Sequence, residues 1–319
     1  MDLSIIVVNW HSTEYVRACL ASIFSTISGL KLEVLVIDSG SADGCGEMIA
    51  REFPAVTFIE SKDNLGFPKA NNLAYACAKG EVILFLNPDT ELRGDAVLRL
   101  WQTLRDQPQA GIVGAKLLNR DGTLQTSCIQ SFPTILNQVL DSDLLRQRFP
   151  RARMWGMRPL YDSDSKPQEV DMVSGACLMV KREVFERVGR FSTYCFMYAE
   201  DVDLCFKALQ AGWKTYYVPL AVVVHHGGGS SAQSARTFSA VMARESLRRF
   251  FEHRRGAWYA RSYRLALALS AAPRCLLLAC AWVLGRMVGS RRGAGNNLKK
   301  WLAILRWTVG WETWVHKYG

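Results

Sequence analysis

The chain has 319 residues, of which 49% are hydrophobic and 21% are charged, so it is neither a disordered protein nor too short for a large folded domain. Its nine cysteines are scattered singly without a C-x-x-C pair, which argues against a zinc site or a disulfide scaffold and favours a reducing compartment. The first apolar run follows Met1 and Asp2 directly, without a basic n-region or a cleavage site, so we expect no signal peptide.

The net charge of +10 is distributed unevenly along the chain. Residues 236–319 hold 16 Lys and Arg against 3 Asp and Glu, and they hold six of the ten tryptophans. Residues 1–235 hold 23 Lys and Arg against 26 Asp and Glu. This change in composition predicts a domain formed by residues 1–235 and a basic, Trp-rich helical region formed by residues 236–319.

The first domain alternates apolar runs with amphipathic segments. Between the first two runs, Val16, Leu20, Ile23 and Phe24 recur at helical spacing and predict a helix over about residues 14–27. Continuous apolar runs predict buried parallel strands, and these runs are LSIIVVN, LEVLVID, VTFIES and EVILFLN. The alternation predicts an α/β fold with a mostly parallel central sheet that is covered by helices on both faces.

The second half of this domain is less regular. Residues 141–169 are polar and Arg-rich, and we expect a mobile loop there. Residues 170–191 predict a strand, a turn of small residues and a short helix, and residues 198–219 predict a loop, a helix with Leu204 and Leu209 on its apolar side, and a strand. The segment AVVVHHGGGSS predicts a strand that ends in two histidines and a glycine-rich loop.

Polar residues stand at the ends of three predicted parallel strands, namely Asn9, Asp38 and Asp89. In such sheets ligands bind beyond the carboxyl ends of the strands. Asp38 is either a turn residue or a carboxylate that accepts the imide N–H of a uracil or thymine ring, with SGSADG supplying a tight backbone around that ring. Asp43 is a candidate helix N-cap.

The segment NLGFPKANN is either a helix entry with Pro68 at the first helical position or a turn that contacts a nucleotide. In the second interpretation Gly66 permits close backbone approach, and the helix N-terminus favours phosphate. Lys69 and Asn72 lie in the first turns of that helix.

Three further patterns indicate chemistry. Asp89 in NPD is a candidate ligand for the divalent cation that diphosphate leaving groups need, with Glu91 as support or as a solvated residue. EDVDLC opens a helix with three acids, favoured there by the helix dipole or used as a general base; we expect the base to be Asp201, with Glu200 second and Asp203 structural. One histidine of the HH pair could complete the metal site opposite Asp89.

The chain resembles the family 2 glycosyltransferases, and within them a rhamnosyltransferase-like subgroup. The resemblance covers roughly residues 1–235 and rests on seven segments in the family's order, namely VVNW, VIDSGSADG, NLGFPKANN, FLNPDTEL, VSGACLMVKREVFERVGRF, YAEDVDLCFKALQAGWKTYYVP and VVVHHGGGSS. It implies a nucleotide-sugar-binding fold of the GT-A type, a divalent metal (Mg²⁺ or Mn²⁺) and inversion at the anomeric carbon. Asn87 departs from the family, because many relatives carry an acid there, and this weakens the expected metal site.

The resemblance implies roles for Asp38, Asp89, Asp201 and His225, and the residue patterns add the other candidates. Asp201 and Glu200 are the predicted catalytic residues, and Asp89 and His225 the predicted metal ligands. The predicted donor-binding residues are Val8, Asn9, Asp38, Ser39, Gly66, Lys69, Asn72, Asn87 and Gly175.

The most apolar segment of the chain, residues 264–288, is interrupted by Pro273 and Arg274. It fits a membrane span, a buried helical hairpin or a pair of helices lying in the membrane surface, and we favour the third because Arg, Lys and Trp suit headgroups and the interface. The aliphatic runs fit nucleic-acid binding poorly.

These observations predict an enzyme at the cytoplasmic face of the plasma membrane. The resemblance to the rhamnosyltransferase-like subgroup alone implies the sugar and its donor, so we expect transfer of L-rhamnose from dTDP-rhamnose to a hydroxyl of a polyprenyl-linked or polysaccharide acceptor. A UDP-sugar-dependent glycosyltransferase and a non-catalytic nucleotide-sugar-binding module remain as alternatives. A dinucleotide oxidoreductase is disfavoured because no G-x-G-x-x-G follows the first strand.

Overall fold

The structure is a computed structural model that describes residues 1–162, 164–227, 233–287 and 294–318. The predicted glycine-rich loop lies outside the described residues beyond Gly227. The strands are β1 (Leu3–Asn9), β2 (Leu32–Ser39), β3 (Thr57–Ser61), β4 (Val82–Leu86), β5 (Thr90–Leu92), β6 (Ala110–Leu118), β7 (Ile129–Gln130), β8 (Gln168–Val170), β9 (Met172–Val173), β10 (Cys177–Lys181) and β11 (Lys214–His225).

Helices follow most of these strands. They are α1 (Thr13–Thr26), α2 (Cys45–Glu52), α3 (Gly66–Tyr75), α4 (Ala96–Asp106), α5 (Ile135–Val139), α6 (Asp143–Arg148), α7 (Arg182–Arg187), α8 (Glu200–Gln210), α9 (Gln233–Arg255), α10 (Ala257–Met287) and α11 (Ala294–Thr308). Single 3₁₀ turns cover Thr126–Cys128, Arg153–Trp155, Arg158–Tyr161 and Thr313–Tyr318.

One large sheet carries most of the strands, in the order β3-β2-β1-β4-β10-β6-β11-β5, with β8 also paired to β11. Strands β1 to β4 are mutually parallel, and β11 is parallel to β6. Strand β10 runs antiparallel between β4 and β6, and β5 and β8 run antiparallel to β11. The predicted α/β fold with a mostly parallel central sheet is therefore confirmed.

The core lies where the apolar runs meet the helices. Every residue of β1 and β4 is buried, as expected for central strands that are covered on both faces. Helix α1 buries Val16, Leu20 and Ile23. Phe24 was predicted to belong to the same face, but it is 44% exposed and stacks on Phe53 at a centroid distance of 6.0 Å.

Other local predictions also need correction. Leu209 is 49% exposed, because the buried face of α8 is formed by other residues. Helix α3 begins at Gly66, which places Pro68 at its third position and not at its first, and it ends at Tyr75. Residues 141–169 contain a short helix, two 3₁₀ turns and part of β8, and they bury Trp155 and Met157, so this segment is not simply a loop.

The chain divides into two compact units. The first comprises Met1–Phe132, Arg146–Thr193 and Glu200–Gly229, and it contains the sheet. The second comprises Pro133–Leu145, Tyr194–Ala199 and Ser230–Gly319. The boundary near residue 235 remains a prediction, and the second unit includes two short segments from the first predicted domain.

The second unit is built around three helices. A small apolar core joins Ala240 of α9, Ala271 of α10 and Ile304 of α11, with Trp301 packed against it. Within the described residues, α10 is long and apolar enough over Ala257–Leu284 to cross a membrane, and only 17% of its most apolar stretch is buried. Its exposed apolar side chains are Trp258, Leu265, Leu269, Leu276, Leu277, Trp282, Val283 and Leu284.

Candidate active site

The predicted acids lie at one end of the sheet. Asn9 and Asp38 are paired neighbours at the carboxyl ends of β1 and β2, and β4 ends beside β1, just before Asn87. The amide N–H of Asn87 donates to the carbonyl oxygen of Ala176 (3.0 Å). The preceding residue, Gly175, donates its N–H to the carboxylate of Asp201. The polar residues that follow the strands therefore share the edge where ligands bind in such folds.

Asp38 is the centre of a buried hydrogen-bond network. It is 3% exposed and accepts bonds from the side-chain nitrogen of Asn9 (2.6 Å), from the backbone N–H of Ser41 (3.0 Å) and from the Ser41 hydroxyl. Asn9 is fully buried and also donates to Asp43 (2.9 Å). The carboxylate of Asp38 is thus held in one orientation by several donors.

Asp43 does not cap α2, because Gly44 stands at the N-cap position. Its carboxylate accepts instead from the N–H of Thr13 (3.2 Å) and from Asn9. Burial acts to raise the pKa of Asp43, but the hydrogen bonds from Thr13 and Asn9 outweigh it and leave the pKa below its usual value. Asp43 therefore joins α1 to the loop after β2.

The turn before α3 is tied to the end of β2. The Ser39 hydroxyl accepts from the N–H of Leu65 (2.8 Å), and Gly66, with a φ of +69°, donates to the side chain of Asn64 (3.0 Å). Gly40 packs so closely that a Cβ there would lie 2.6 Å from the carbonyl carbon of Asp63. Only glycine fits at position 40 without a backbone shift.

The remaining donor-binding predictions fall on residues in different surroundings. Val8 is buried in β1, and Lys69 is exposed on α3. The side chain of Asn72 makes two bonds to the backbone of Phe191, donating to its oxygen (2.8 Å) and accepting from its N–H (3.2 Å). These contacts hold α3 against the segment after α7. The side-chain contacts that the structure shows for Asn72 are therefore structural.

A groove of about 710 Å³ opens beside Asp38. It runs between α2 and β3, and its lining includes Asp43, Ile49, Phe58 and Glu60. Its walls combine acids with apolar side chains, which suits a flat ring that needs both a stacking surface and hydrogen-bond acceptors.

Asp89 and His225 form a close pair. Nε2 of His225 lies 3.3 Å from Oδ1 of Asp89, and the two side chains are 17% and 12% exposed. The pairing of β5 with β11 places Thr90 opposite His225 and so brings the two residues together from distant parts of the chain. Asn87 also points toward the pair, with its Nδ2 at 3.4 Å from Nε2 of His225.

Gln125 sets the tautomer of His225. Its side-chain nitrogen donates to the carbonyl oxygen of His225 (2.6 Å), which turns its oxygen toward Nδ1 of the ring (2.9 Å). With Gln125 bound in this way, Nδ1 of the ring donates to the side-chain oxygen of Gln125, and Nε2 faces Asp89.

His226 and Glu91 form a second histidine–carboxylate pair. Nε2 of His226 lies 2.7 Å from Oε1 of Glu91, and the N–H of His226 donates to the carbonyl oxygen of Asp89 (2.9 Å).

Burial acts to raise the pKa of Asp89, but the hydrogen bond and charge of His225 outweigh it and keep the pKa below its usual range. Asp89 is therefore ionised at neutral pH.

Asp201 is positioned by two backbone amides. Its Oδ2 accepts from the N–H of Gly175 (2.9 Å), and its Oδ1 accepts from the N–H of Val202 (2.8 Å). A Cβ at Gly175 would lie 3.4 Å from the Cβ of Asp201, so the two residues are in close contact. Gly175 was predicted to bind the donor, and the contact that the structure shows for it is with Asp201.

Glu200 is buried beside Asp201 with less support. It is 8% exposed, and among the described residues its Oε2 has no hydrogen-bond partner. Burial, together with the negative charge of Asp201, raises the pKa of Glu200 to about 8, so Glu200 holds a proton at neutral pH. Burial also raises the pKa of Asp201, but the amides of Gly175 and Val202 oppose that rise and favour its charged form.

Asp203, the third acid of this helix turn, is 1% exposed. It accepts from the hydroxyl of Ser192 (2.6 Å) and lies 3.4 Å from the ammonium of Lys207. These contacts fit a structural role.

Directly before α8, Tyr198 and Ala199 both have left-handed backbone conformations, with φ of 66° and 62°, which is costly for residues other than glycine.

Sequence reasoning missed two contributors. Gln125 lies in a segment without a recognisable motif, 100 residues before the histidine that it orients. Ser41 was treated only as part of a turn, yet it bonds to Asp38 through both its hydroxyl and its N–H. Among the described residues, no group of three or more His, Cys, Asp and Glu side chains is arranged to hold a metal.

The fold and the site define a class of protein, the glycosyltransferases of the GT-A type. The profile described as "Glycosyl transferase family 2" matches residues 4–189. The chain belongs to this family, and the predicted resemblance is confirmed.

Within the family, the chain is similar to proteins named as rhamnosyltransferases. It is 28% identical over 290 residues to the N-acetylglucosaminyl-diphospho-decaprenol L-rhamnosyltransferase of Mycobacterium tuberculosis (strain ATCC 25618 / H37Rv), covering 86% of this chain and 92% of the relative. It is 27% identical over 190 residues to rhamnosyltransferase WbbL of Escherichia coli (strain K12), covering 56% of this chain and 67% of the relative.

Solved structures share the fold. The mannosyltransferase PcManGT from Pyrobaculum calidifontis, in complex with GDP-Man and Mn²⁺, superposes with a TM-score of 0.60 at 20% identity, covering 97% of this chain and 86% of that one. GalNAc-T7 with UDP, GalNAc and Mn²⁺ superposes with a TM-score of 0.54 at 15% identity, covering 70% of this chain and 44% of that one.

Proposed function

We propose that this glycosyltransferase transfers L-rhamnose from dTDP-rhamnose, with inversion, to a hydroxyl group of a polyprenyl-diphosphate-linked glycan. The observation that carries the proposal is the placement of Asp201, fixed by Gly175, at the same edge of the sheet as the Asp89–His225 pair. The two relatives named as rhamnosyltransferases support the sugar, and the name of the mycobacterial relative supports the lipid-linked acceptor.

Asp201 acts as the general base in this proposal. Its carboxylate takes the proton of the acceptor hydroxyl, the oxygen attacks the anomeric carbon from the face opposite the diphosphate, and the bond to the diphosphate oxygen breaks. A base has to be charged at working pH, and the proton on Glu200 keeps Asp201 charged by removing a second negative charge from the pair. Two backbone donors hold the carboxylate in place without neutralising it.

The other end of the donor is assigned to the residues around Asp38. The Asn9, Ser41 and backbone donors fix the Asp38 carboxylate beside the groove, where it would accept the imide N–H of a thymine ring. Asp38 would then confer specificity through the fixed orientation of its carboxylate.

A divalent cation, Mg²⁺ or Mn²⁺, fits the Asp89–His225 pair. With its proton released, Nε2 of His225 would join the Asp89 carboxylate as a ligand, and the bond between Nδ1 and Gln125 is the support that metal-ligating histidines have. Such an ion would neutralise charge on the departing diphosphate. Only two protein ligands come from this pair, so the remaining positions would be left to phosphate oxygens and water.

We assign membrane attachment to the region of residues 236–319, which we propose acts as a separate domain at the cytoplasmic face of the plasma membrane. The exposed leucines and tryptophans of α10 would enter the bilayer interface, and the excess of Arg and Lys would meet anionic headgroups. The exposed apolar surface of α10 supports this assignment.

The proposed reaction is tested with a panel of nucleotide sugars and a short synthetic polyprenyl-diphosphate N-acetylglucosamine acceptor. We expect turnover with dTDP-rhamnose in Mg²⁺ or Mn²⁺, loss of turnover in EDTA, and a product whose anomeric configuration by NMR is inverted relative to the donor. Turnover only with a UDP-sugar would show that the donor is not dTDP-rhamnose. Binding of a donor without any turnover would favour a non-catalytic module.

Membrane attachment is tested by sedimentation with vesicles that contain anionic lipid. We expect binding by the wild type at low salt and a loss of binding in a Leu269→Glu, Leu276→Glu double variant. Leu144→Glu is a matched control, because Leu144 is also an exposed leucine but lies on α6. Equal sedimentation of all three proteins would contradict the assignment to α10.

A further inference from the structure

Two groups of charged residues in the second unit differ in how they are satisfied. Glu245 is 3% exposed and binds Arg248 (2.9 Å), Arg249 (2.8 Å) and the indole N–H of Trp307 (3.1 Å). Burial acts to raise the pKa of Glu245, but the hydrogen bonds from Arg248 and Arg249 outweigh it and bring the pKa to about 2. This charge is fully compensated inside the unit.

Arg274 is the contrasting case, one helix away. Its Nη2 donates to the carbonyl oxygen of Val139 (2.8 Å), and its guanidinium lies 4.4 Å from the ring centre of Trp301. Its Nη1 is buried without a partner, and in the part of the chain that the structure describes no carboxylate lies within salt-bridge distance of it. A buried cationic donor in this state is costly unless something else binds it.

Tyr263, on the same helix, has a second unsatisfied donor. The residue is fully buried, and its hydroxyl has no hydrogen-bond partner among the described residues. Tyr263 and Arg274 lie about three helical turns apart on the same face of α10, and the charges of Arg244 and Asp141 act on both. Two orphaned donors on one helix face require an explanation, because buried polar groups are nearly always paired.

More positive charge surrounds these donors. Among the described residues, Arg244 donates a long bond, at 3.5 Å, to the carbonyl oxygen of Ala240. Lys300 of α11 lies within reach of the charges of Arg244, Asp141 and Asp143. Three cations therefore share this region with Asp141, Asp143 and Glu245, and Glu245 is already paired with Arg248 and Arg249.

We propose that Arg244, Tyr263, Arg274 and Lys300 form a binding site in the second unit for the diphosphate group of a lipid-linked acceptor. The lipid-linked identity rests on the proposed function, whereas the preference for a diphosphate anion rests on the site itself. Arginine binds phosphate oxygens through parallel N–H donors, and a tyrosine hydroxyl can donate to a third oxygen. A water molecule would satisfy Tyr263 but would not give Arg274 a negatively charged partner within salt-bridge distance.

The proposal is tested by calorimetric titration of the full-length protein in EDTA, which removes divalent cations from the Asp89–His225 pair. We expect inorganic pyrophosphate to bind, farnesyl diphosphate to bind at least about tenfold more tightly, and farnesol not to bind. Equal affinity for pyrophosphate and farnesyl diphosphate would overturn the lipid-linked assignment. Absence of binding by both would overturn the site.

Variants localise the binding. Arg274→Ala is expected to weaken farnesyl diphosphate binding by at least about tenfold, since it removes a charged donor pair. Arg261→Ala is the matched control, because Arg261 lies on the same helix but is exposed and stacks on Trp258 at 5.1 Å. Equal weakening in both variants would show a non-specific loss of positive charge and would overturn the proposal.

Tyr263→Phe keeps the test decisive if Arg274→Ala unfolds. It removes only a hydroxyl group that has no partner, so its melting temperature should equal or exceed that of the wild type, while diphosphate binding should weaken severalfold. A structural role for the hydroxyl would instead lower the melting temperature and leave binding unchanged, and that result would overturn the proposal.

Failure of this site and failure of the proposed function give different results. Diphosphate binding is measured without donor or turnover, so it can be lost in Arg274→Ala even if no transfer is detected with any sugar. If the enzyme transfers rhamnose, Arg274→Ala should raise the KM for the lipid acceptor and leave the KM for the donor unchanged. Unchanged KM values for both substrates would overturn the site while leaving the transfer reaction established.

Discussion

Two carboxylate clusters at the same edge of the sheet are both buried, yet they are stabilised in opposite ways. Asp38 is surrounded by donors from Asn9 and Ser41, so its charge is compensated in the folded protein. Asp201 accepts from two backbone donors, and one oxygen of Glu200 has no partner among the described residues. The first cluster is held in one arrangement by its donors, whereas the second holds a proton on Glu200.

The difference follows from the elements that supply each cluster. Asp38 lies where adjacent parallel strands end side by side, so side chains of one strand reach the next. Glu200 and Asp201 lie in the first turn of a helix, where nearby N–H groups lack intrahelical partners but few side chains approach. The predictions below test this contrast in order of decreasing effect.

The largest effect is expected for Asp201→Asn. It removes the proposed base but keeps the shape of the side chain, so kcat should fall by at least about a hundredfold while donor affinity stays nearly unchanged. Steady-state kinetics and donor titration measure the two quantities. Glu183→Gln, at an exposed acid of α7, is the control and should behave like the wild type. Loss of donor affinity in step with the loss of rate would mean that Asp201 does not act as the base.

Asp89→Ala should act on the donor instead. Without the carboxylate, His225 loses its partner and a bound cation loses a ligand, so we expect the donor KM to rise by about tenfold or more and stimulation by Mn²⁺ to disappear. Rates over a Mn²⁺ titration measure this. The control is Asp106→Asn, an exposed acid at the end of α4. A donor KM that does not change would contradict the assignment of Asp89.

The proton held by Glu200 predicts a pH dependence of stability. Since its pKa is raised from the ordinary value of 4.5 to about 8, the folded state keeps a proton that the unfolded state releases. Its contribution to stability is therefore complete below pH 4.5 and is lost as the pH rises through about 8, by an amount on the order of a few kcal/mol.

Melting temperatures between about pH 5 and pH 9 test this dependence. The wild type should lose stability across that range, and Glu200→Gln should flatten the curve because its amide does not titrate. Glu183→Gln should keep the slope of the wild type. An identical slope in Glu200→Gln would show that Glu200 does not hold the proton.

In the cluster around Asp38, the substitution Asp38→Asn should affect stability as well as binding. An amide cannot accept all of the bonds that the carboxylate accepts, so we expect a loss of about 1–3 kcal/mol in the free energy of unfolding. Denaturant unfolding measures it, with Asp63→Asn as a control at an exposed position. A variant as stable as the wild type would show that the network is not stabilising.

Gly175→Ala should give the smallest effect. The added Cβ would meet the Cβ of Asp201 at 3.4 Å, an ordinary contact, so we expect a cost of about 1 kcal/mol or less and a modest fall in kcat. Thermal melting and kinetics with the same batch of protein measure both. A collapse of activity comparable to that of Asp201→Asn would show that the position of the base is set far more tightly than this spacing indicates.

The sequence by itself determined strands β1 to β4, helices α1 and α8 and the family to which the chain belongs, whereas β5 to β7, α4 and α6 were not predicted. Continuous apolar runs can only be buried in a covered sheet, and local periodicity and turn residues are properties of short segments. For the same reason the acids at positions 38, 89 and 201 stand out from their local patterns alone.

Only the tertiary structure decided which partners those acids meet. Gln125 is 100 residues from His225, Gly175 is 26 residues from Asp201, and Asn72 is 119 residues from Phe191. Such contacts depend on strand order and on helix packing, which no local pattern encodes, and so does the state of Arg274 and Tyr263. Whether a buried polar group is satisfied is a property of everything packed around it, and therefore of the fold as a whole.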